Sequence, residues 1–284
     1  MKRNVDLLAS YWTIAIDAEP HTGPEFSSAP FVDRVAAAAR AGFTGMGIWH
    51  ADLEHTLRSM SLADMRHALD DHGIRHIELE FLNDWFVDDP AKHAEYLDRK
   101  KLLFTAAEAL KADHIKVGDF FNTPCPMPKL IESFASLCKD AREIGTDIHF
   151  ELMPFANINT LAGALDLVQG ADATNGKIIF DLWHVVKLGI PYADVAAVPA
   201  RFVGGIEIND GRIASMPDMT EETTKHRNLC GEGEFDVKGF VRTMLDAGYR
   251  GPWGIEVLNQ ELRRQPLEEV AQRAAATTFA QFPD

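Results

Sequence analysis

Strand-like and helical segments alternate eight times along 284 residues, and four strand-like runs in the second half end on an acid. The count and order predict one α/β domain, a single (β/α)8 TIM barrel spanning residues 1–284, because a doubly wound sheet more often stops at five or six strands. The acids are Glu151 in IHFELM, Asp181 in IIFDLW, Glu207 in GGIEIN and Glu256 in WGIEVL. Side chains alternate along a strand, so Ile148, Phe150 and Leu152 oppose Glu151, and Ile178, Phe180 and Leu182 oppose Asp181. In the same way Ile206 and Ile208 oppose Glu207, and Trp253, Ile255 and Val257 oppose Glu256. A buried parallel strand is ordinarily apolar on both faces, so acids in register at strand carboxyl ends predict one shared polar cavity. Their mutual repulsion calls for a cation, and a divalent metal is the economical one.

The first strand is placed near Val5–Trp12, before a helix opening at Pro30 in which Phe31, Val32, Val35, Ala36 and Ala39 recur at helical spacing until Gly42. The second, Thr44–Trp49, precedes a helix capped by Ser61 with Asp64 three positions on and ended at His72-Gly73. The third, Ile74–Phe81, sets Ile77, Leu79 and Phe81 against His76, Glu78 and Glu80. A helix within Pro90–Lys111, a strand His114–Val117 and a helix over Pro128–Gly145 come next. Strand Asp147–Leu152 leads to helix Thr160–Gly170, and strand Lys177–Leu182 to a short helix after Pro191. Strand Phe202–Ile208 leads to a helix near Asp236–Gly248, and strand Trp253–Val257 to a last helix over Pro266–Phe282. The long connection Asn209–Phe235 carries Gly211, Gly231, Gly233, Arg212, Lys225, His226 and Arg227, and on a barrel it would lie over the mouth as a lid.

Composition narrows the partners. A formal charge of −15 opposes nucleic-acid binding, which depends on Lys and Arg displacing counterions, and suits a small neutral substrate better. Cys125, Cys138 and Cys230 are odd in number and contain no CxxC pair, so neither a disulfide framework nor a zinc cluster is expected and a reducing cytoplasm is the default. Lys2 and Arg3 precede an apolar stretch, but Asp6 and Asp17 interrupt it, which argues against a cleaved signal. No later run approaches the ~18–20 apolar residues of a membrane span. Without a Gly-rich phosphate cradle, a non-phosphorylated substrate is favoured. The oligomeric state stays open, a homo-oligomer included.

The acids and their neighbours resemble the xylose-isomerase-like TIM barrels, the superfamily that includes ketose 3-epimerases, inosose dehydratases and endonuclease IV. Glu151, Asp181 and Glu256 match three of that family's metal positions, and Asp181-Leu182-Trp183-His184 matches its Asp-x-x-His element. Arg227-Asn228-Leu229-Cys230-Gly231-Glu232-Gly233-Glu234 looks like its RxxPGEGE-type stretch, with Cys230 where Pro is common. The departures are Glu207, where the family usually has His, and Asn157, where the ketose 3-epimerases carry a substrate-binding Glu.

The resemblance implies a metal site of Glu151, Asp181, Glu207 and Glu256, whose all-carboxylate donors favour Mn²⁺ or Mg²⁺. It implies a metal-dependent isomerase or epimerase acting on a small sugar or keto-sugar through a metal-stabilised enediolate, with Glu151 and Glu256 exchanging the proton. A lyase or dehydratase acting on a keto-sugar or inosose, C-glycoside cleavage included, is the alternative. Endonuclease IV chemistry is disfavoured, because strand three ends in Glu80-Phe81 and strand four in Val117-Gly118, without the strand-end histidine its zinc cluster would need. His184, Arg227, His50 and Lys116 are the expected substrate contacts. Trp12, Trp49, Trp85 and Trp183 are candidate walls, and Glu80 is expected to pair with Lys116 or Arg75.

Overall fold

Eight parallel strands close on themselves in chain order in the computed structural model, which describes residues 5–283. Lys2 and Arg3 lie outside the described residues. The strands are β1 (Leu7–Ala9), β2 (Gly45–Trp49), β3 (His76–Leu82), β4 (His114–Val117), β5 (Asp147–Glu151), β6 (Gly176–Asp181), β7 (Val203–Ile208) and β8 (Trp253–Ile255). β1 pairs with both β2 and β8, so no sheet edge is left open.

The outward residues of each strand meet a ring of helices in one large apolar cluster. Ile148, Phe150, Ile178, Phe180, Ile206, Ile208 and Ile255 all belong to it and are almost wholly buried. Helix Phe31–Ala41 packs against helix Leu267–Phe279, and the left-handed Gly42 (φ 101°) ends the former as expected. Ser61 and Asp64 form the predicted capping box.

The expected first strand is shorter than its apolar run. Beyond Ser10, whose N–H donates the last ladder bond to Ile255 O, the chain turns into a short helix, Tyr11–Ile14. The Tyr11 N–H is drawn inward to Glu80 Oε1 at 3.1 Å, which no local propensity encodes. Short helices also follow β2 (His50–Thr56) and β6 (Leu182–Lys187), and a third, Met219–Lys225, lies within the long connection. Glu256 stands one residue past β8 rather than inside a strand.

Inside the barrel the polar residues are layered. Nearest the strand amino ends, His114 stacks on His149 with ring centroids 3.9 Å apart and meets Glu78 Oε2 through Nε2 at 2.8 Å. Burial holds both imidazoles neutral, pushing each pKa down to about 3. Lys116 follows, fully buried, and the carboxylates cap it. Among the described residues no helix is long and apolar enough to cross a membrane.

Candidate active site

Strand register brings the acids together. Asp181 is paired with Glu207 across β6 and β7, and Glu207 with Gly254 across β7 and β8, two residues before Glu256. One carboxylate oxygen each from Glu151, Glu207 and Glu256 lies within 4.8 Å of the others, and all three residues are buried. Asp181 stands beside this trio. Its Oδ1 accepts from His184 N at 3.1 Å, capping the helix that follows β6. Its Oδ2 accepts from Asn209 Nδ2 at 2.8 Å and from Arg227 Nη1 at 3.0 Å.

Lys116 occupies the centre. Its Nζ lies 3.0 and 3.1 Å from the two oxygens of Glu207, 2.9 Å from Glu256 Oε1 and 3.3 Å from Glu80 Oε2. Burial works against its charge, but Glu207, Glu256, Glu78 and Glu80 outweigh burial and raise its pKa well above the usual lysine value. Arg227 is the second buried cation, and its Nη1 bridges Asp181 and Glu256 Oε2 at 3.0 and 2.9 Å. Glu80 pairs with Lys116, whereas Arg75 is engaged by Asp6.

Six buried acids, with Glu78 and Glu80 included, thus face two buried cations. The imbalance shows in their acidities. Burial is the largest cause in Glu207 and Glu256 and raises both, while for Glu80 it prevails over Lys116 and lifts the pKa to about 8. For Glu151 burial is outweighed by Lys116, by the His184 Nε2 contact at 3.2 Å and by Arg227, and the carboxyl is held near 2. Uncompensated charge and oxygen-only donors fit a hard divalent cation held by Glu151, Glu207 and Glu256, with Asp181 alongside. Such an ion would share Glu207 and Glu256 with the Lys116 ammonium.

Above the acids lies a cavity of about 370 Å³. Glu80, Glu151, His184, Arg227 and Glu256 reach its wall, as do Thr220, Thr223 and Thr224 of the long connection. Lys116, Asp181 and Glu207 lie beneath the floor and do not line it. His50 does not line it either. Its Nδ1 faces the Phe81 N–H at 3.4 Å, and burial lowers its pKa to about 3. Trp12 and Trp49 form walls as expected, whereas Trp85, in the turn after β3, and Trp183, within the helix after β6, belong to the main core. The Asn157 side chain donates through Nδ2 to Thr123 O at 3.0 Å, and its backbone N–H donates to Asp119 Oδ2 at 3.0 Å.

Several contributors carry no motif in the sequence. Ser10 Oγ donates to Glu207 Oε1 at 2.6 Å, and Phe81, Phe120, Met153 and Phe155 line the cavity. Glu78 had a signal, since alternation puts it on the face of Glu80.

A family model described as the xylose isomerase-like TIM barrel matches residues 35–279. The chain belongs to this family. Among similar proteins, the 3-dehydroshikimate dehydratase of Pseudomonas aeruginosa is 28% identical over 240 residues, covering 82% of this chain and 37% of that protein. The inosose isomerase of Bacillus velezensis is 21% identical over 235 residues, covering 80% of this chain and 83% of that one. A solved IolI protein with a bound zinc atom superposes with a TM-score of 0.80 at 17% identity, over 98% of each chain. The chain spans less than two-fifths of the length of the two dehydratases it matches.

Proposed function

We propose that this chain is a divalent-cation-dependent enzyme that moves a carbon-bound proton next to a carbonyl of a small sugar or keto-sugar, as an isomerase or epimerase. The observation that carries this reading is the buried trio Glu151, Glu207 and Glu256, short of positive charge, with two of its members on the wall of the cavity. A bound Mn²⁺ or Mg²⁺ would polarise substrate oxygens and stabilise the negative charge left by proton loss. The zinc of the IolI structure supports a cation in this fold without fixing its identity here.

The chain's own groups divide the work by acidity. Glu151, held near 2, is ionised at neutral pH and accepts the proton, while Glu256, raised by burial, returns one. His184, within reach of both Glu151 and Arg227 Nη2, orients a substrate hydroxyl. Lys116, expected at the substrate from its inward strand parity, is assigned instead to neutralising Glu207 and Glu256 from below, since its ammonium does not line the cavity. The substrate contacts are then His184 and Arg227 with the three threonines, and His50 supports the wall behind Phe81.

A dehydratase is the second reading, favoured by the 28% identical relative, because the same proton removal followed by loss of a β-hydroxyl uses the same groups. The test is a Mn²⁺ titration of the protein and of Glu151→Gln and Glu256→Gln, with exchange of substrate C–H into deuterated water. We expect one ion per chain and at least ~10²-fold loss of exchange in each variant. No ion bound by the unaltered protein, or near-normal exchange in a variant that still binds the ion, overturns the assignment.

A further inference from the structure

The cavity is two-sided. Every acid of the trio comes from the second half of the barrel, whereas Trp12, Trp49, Phe81 and Phe120 follow or end the first four strands and form one continuous aromatic wall. Their ring centroids lie 5.1, 6.4 and 4.5 Å apart in that order. Met153 and Leu258 extend the wall, and these residues form a hydrophobic cluster separate from the main core. The cluster packs apart from the core that joins the strands to the outer helices, and the part of it that faces the cavity is apolar.

It is also held rigid. The Trp49 indole N–H donates to Glu25 Oε2 at 3.0 Å, so the ring offers the cavity its apolar surface and not a free donor. The Asp119 carboxylate accepts from the backbone N–H groups of Phe121, Thr123 and Asn157 at 2.9–3.1 Å, which fixes the two connections carrying Phe120 and Met153. Aromatic surface pre-set in this way loses little entropy on binding a flat ring.

Charge restricts the occupant further. Among the described residues no lysine lines the cavity, and the one arginine that does, Arg227, already spans Asp181 and Glu256. Away from the proposed cation, on the side of the aromatic wall, a phosphate or carboxylate would meet Glu80 and no lysine or arginine.

We infer that the substrate is an uncharged sugar bearing an aromatic substituent, its hydroxylated ring at Glu151, His184 and Glu256 and its flat ring on the wall from Trp12 to Phe120. This rests on the cavity being the substrate site of the enzyme proposed above, and it goes further by naming the class. A free monosaccharide has hydroxyls around its whole rim, and the first-half wall offers them few partners. A planar apolar group buries against such a wall with the gain of both area and ring stacking.

The experiment measures binding without turnover. Affinities are compared by calorimetry for matched phenyl and methyl glycosides of glucose, galactose and xylose, together with the phenyl glycoside 6-phosphates of the two hexoses. We expect the best phenyl glycoside to bind at least tenfold tighter than its methyl counterpart and than its phosphorylated form. Phe120→Ala, at a half-buried rim position, should bring the phenyl-to-methyl ratio close to one. Equal affinities, tightest binding of a phosphorylated glycoside, a ratio unchanged in a folded Phe120→Ala protein, or no binding by any member would overturn the inference. Metal binding and proton exchange are separate readouts. A phenyl preference without a bound ion would remove only the proposed function, and a bound ion without the preference only the substrate class.

Discussion

Taking away the Lys116 ammonium would leave buried Glu207 without its cationic partner and Glu256 with Arg227 alone. Truncating one partner of a buried charge network is strongly destabilising, because the remaining charges stay buried and unpaired. Lys116→Met, similar in length but uncharged, is expected to lower unfolding free energy by about 3–5 kcal/mol in metal-free protein, read from urea denaturation. Saturating Mn²⁺ should recover part of that loss, since the added charge falls on the same carboxylates. A loss under about 1 kcal/mol would mean that these acids are mostly protonated when the metal is absent and need no counter-ion.

At the scale of an element, the helix Leu182–Lys187 is set by a residue that also serves the site. Asp181 caps it through Oδ1 while Oδ2 receives Arg227 and Asn209. Asn caps a helix about as well as Asp but carries no charge. Asp181→Asn should therefore keep the helix cap but leave buried Arg227 with Glu256 as its remaining carboxylate partner, which lowers stability. Asp181→Ala removes the cap as well and should cost about 1 kcal/mol more than Asn does. Thermal melts of the two variants give the difference, and equal stabilities would show that the cap contributes nothing. Close packing limits β2 in another way. A Cβ at Gly47 would stand 2.7 Å from the Tyr11 nitrogen, in the space through which Tyr11 reaches Glu80. Gly47→Ala is expected to destabilise by roughly 1–3 kcal/mol.

For the whole molecule, the crowded acids make stability depend on pH and metal together. Glu80, raised from 4.5 to about 8, keeps a proton in the folded barrel that the unfolded chain has released, and Glu207 is displaced in the same direction. Between about pH 7 and 8 the folded state therefore binds more protons than the unfolded one, so stability falls as pH rises through that window. His50, His114 and His149, lowered to about 3 from 6.5, are neutral in the folded state but partly protonated in the unfolded chain near pH 6.5, so they oppose the trend below about pH 7 and fade above it. Metal-free protein should show a falling urea midpoint from about pH 7 to 8. Added Mn²⁺ or Mg²⁺ should raise the midpoint most at pH 8, where the carboxylates are ionised. A midpoint that rises with pH over that window in the absence of metal would contradict this charge balance.

The sequence by itself determined the barrel and the identity of its acids. Eight alternations of period 2 and period 3.6 admit few closed topologies, and the parity of Glu151, Asp181, Glu207 and Glu256 against their apolar neighbours points all four inward whatever the details of packing. The family elements around Asp181 and Arg227 lie within single short segments, so they too are legible. Only the tertiary structure decided which inward group touches which. Lys116 ends beneath the floor and not at the substrate because β4 sets it one layer below Glu256, a relation of depth that alternation does not encode. His50 turns to the Phe81 backbone, and Trp85 and Trp183 join the main core, because residues past a strand end have no strand alternation to fix their direction. The aromatic wall was legible only in part, through Trp12 and Trp49, and its continuation through Phe81 and Phe120 was not. Trp12, Trp49, Phe81 and Phe120 belong to four different βα units, and only closure of the barrel brings their rings to one side of the cavity.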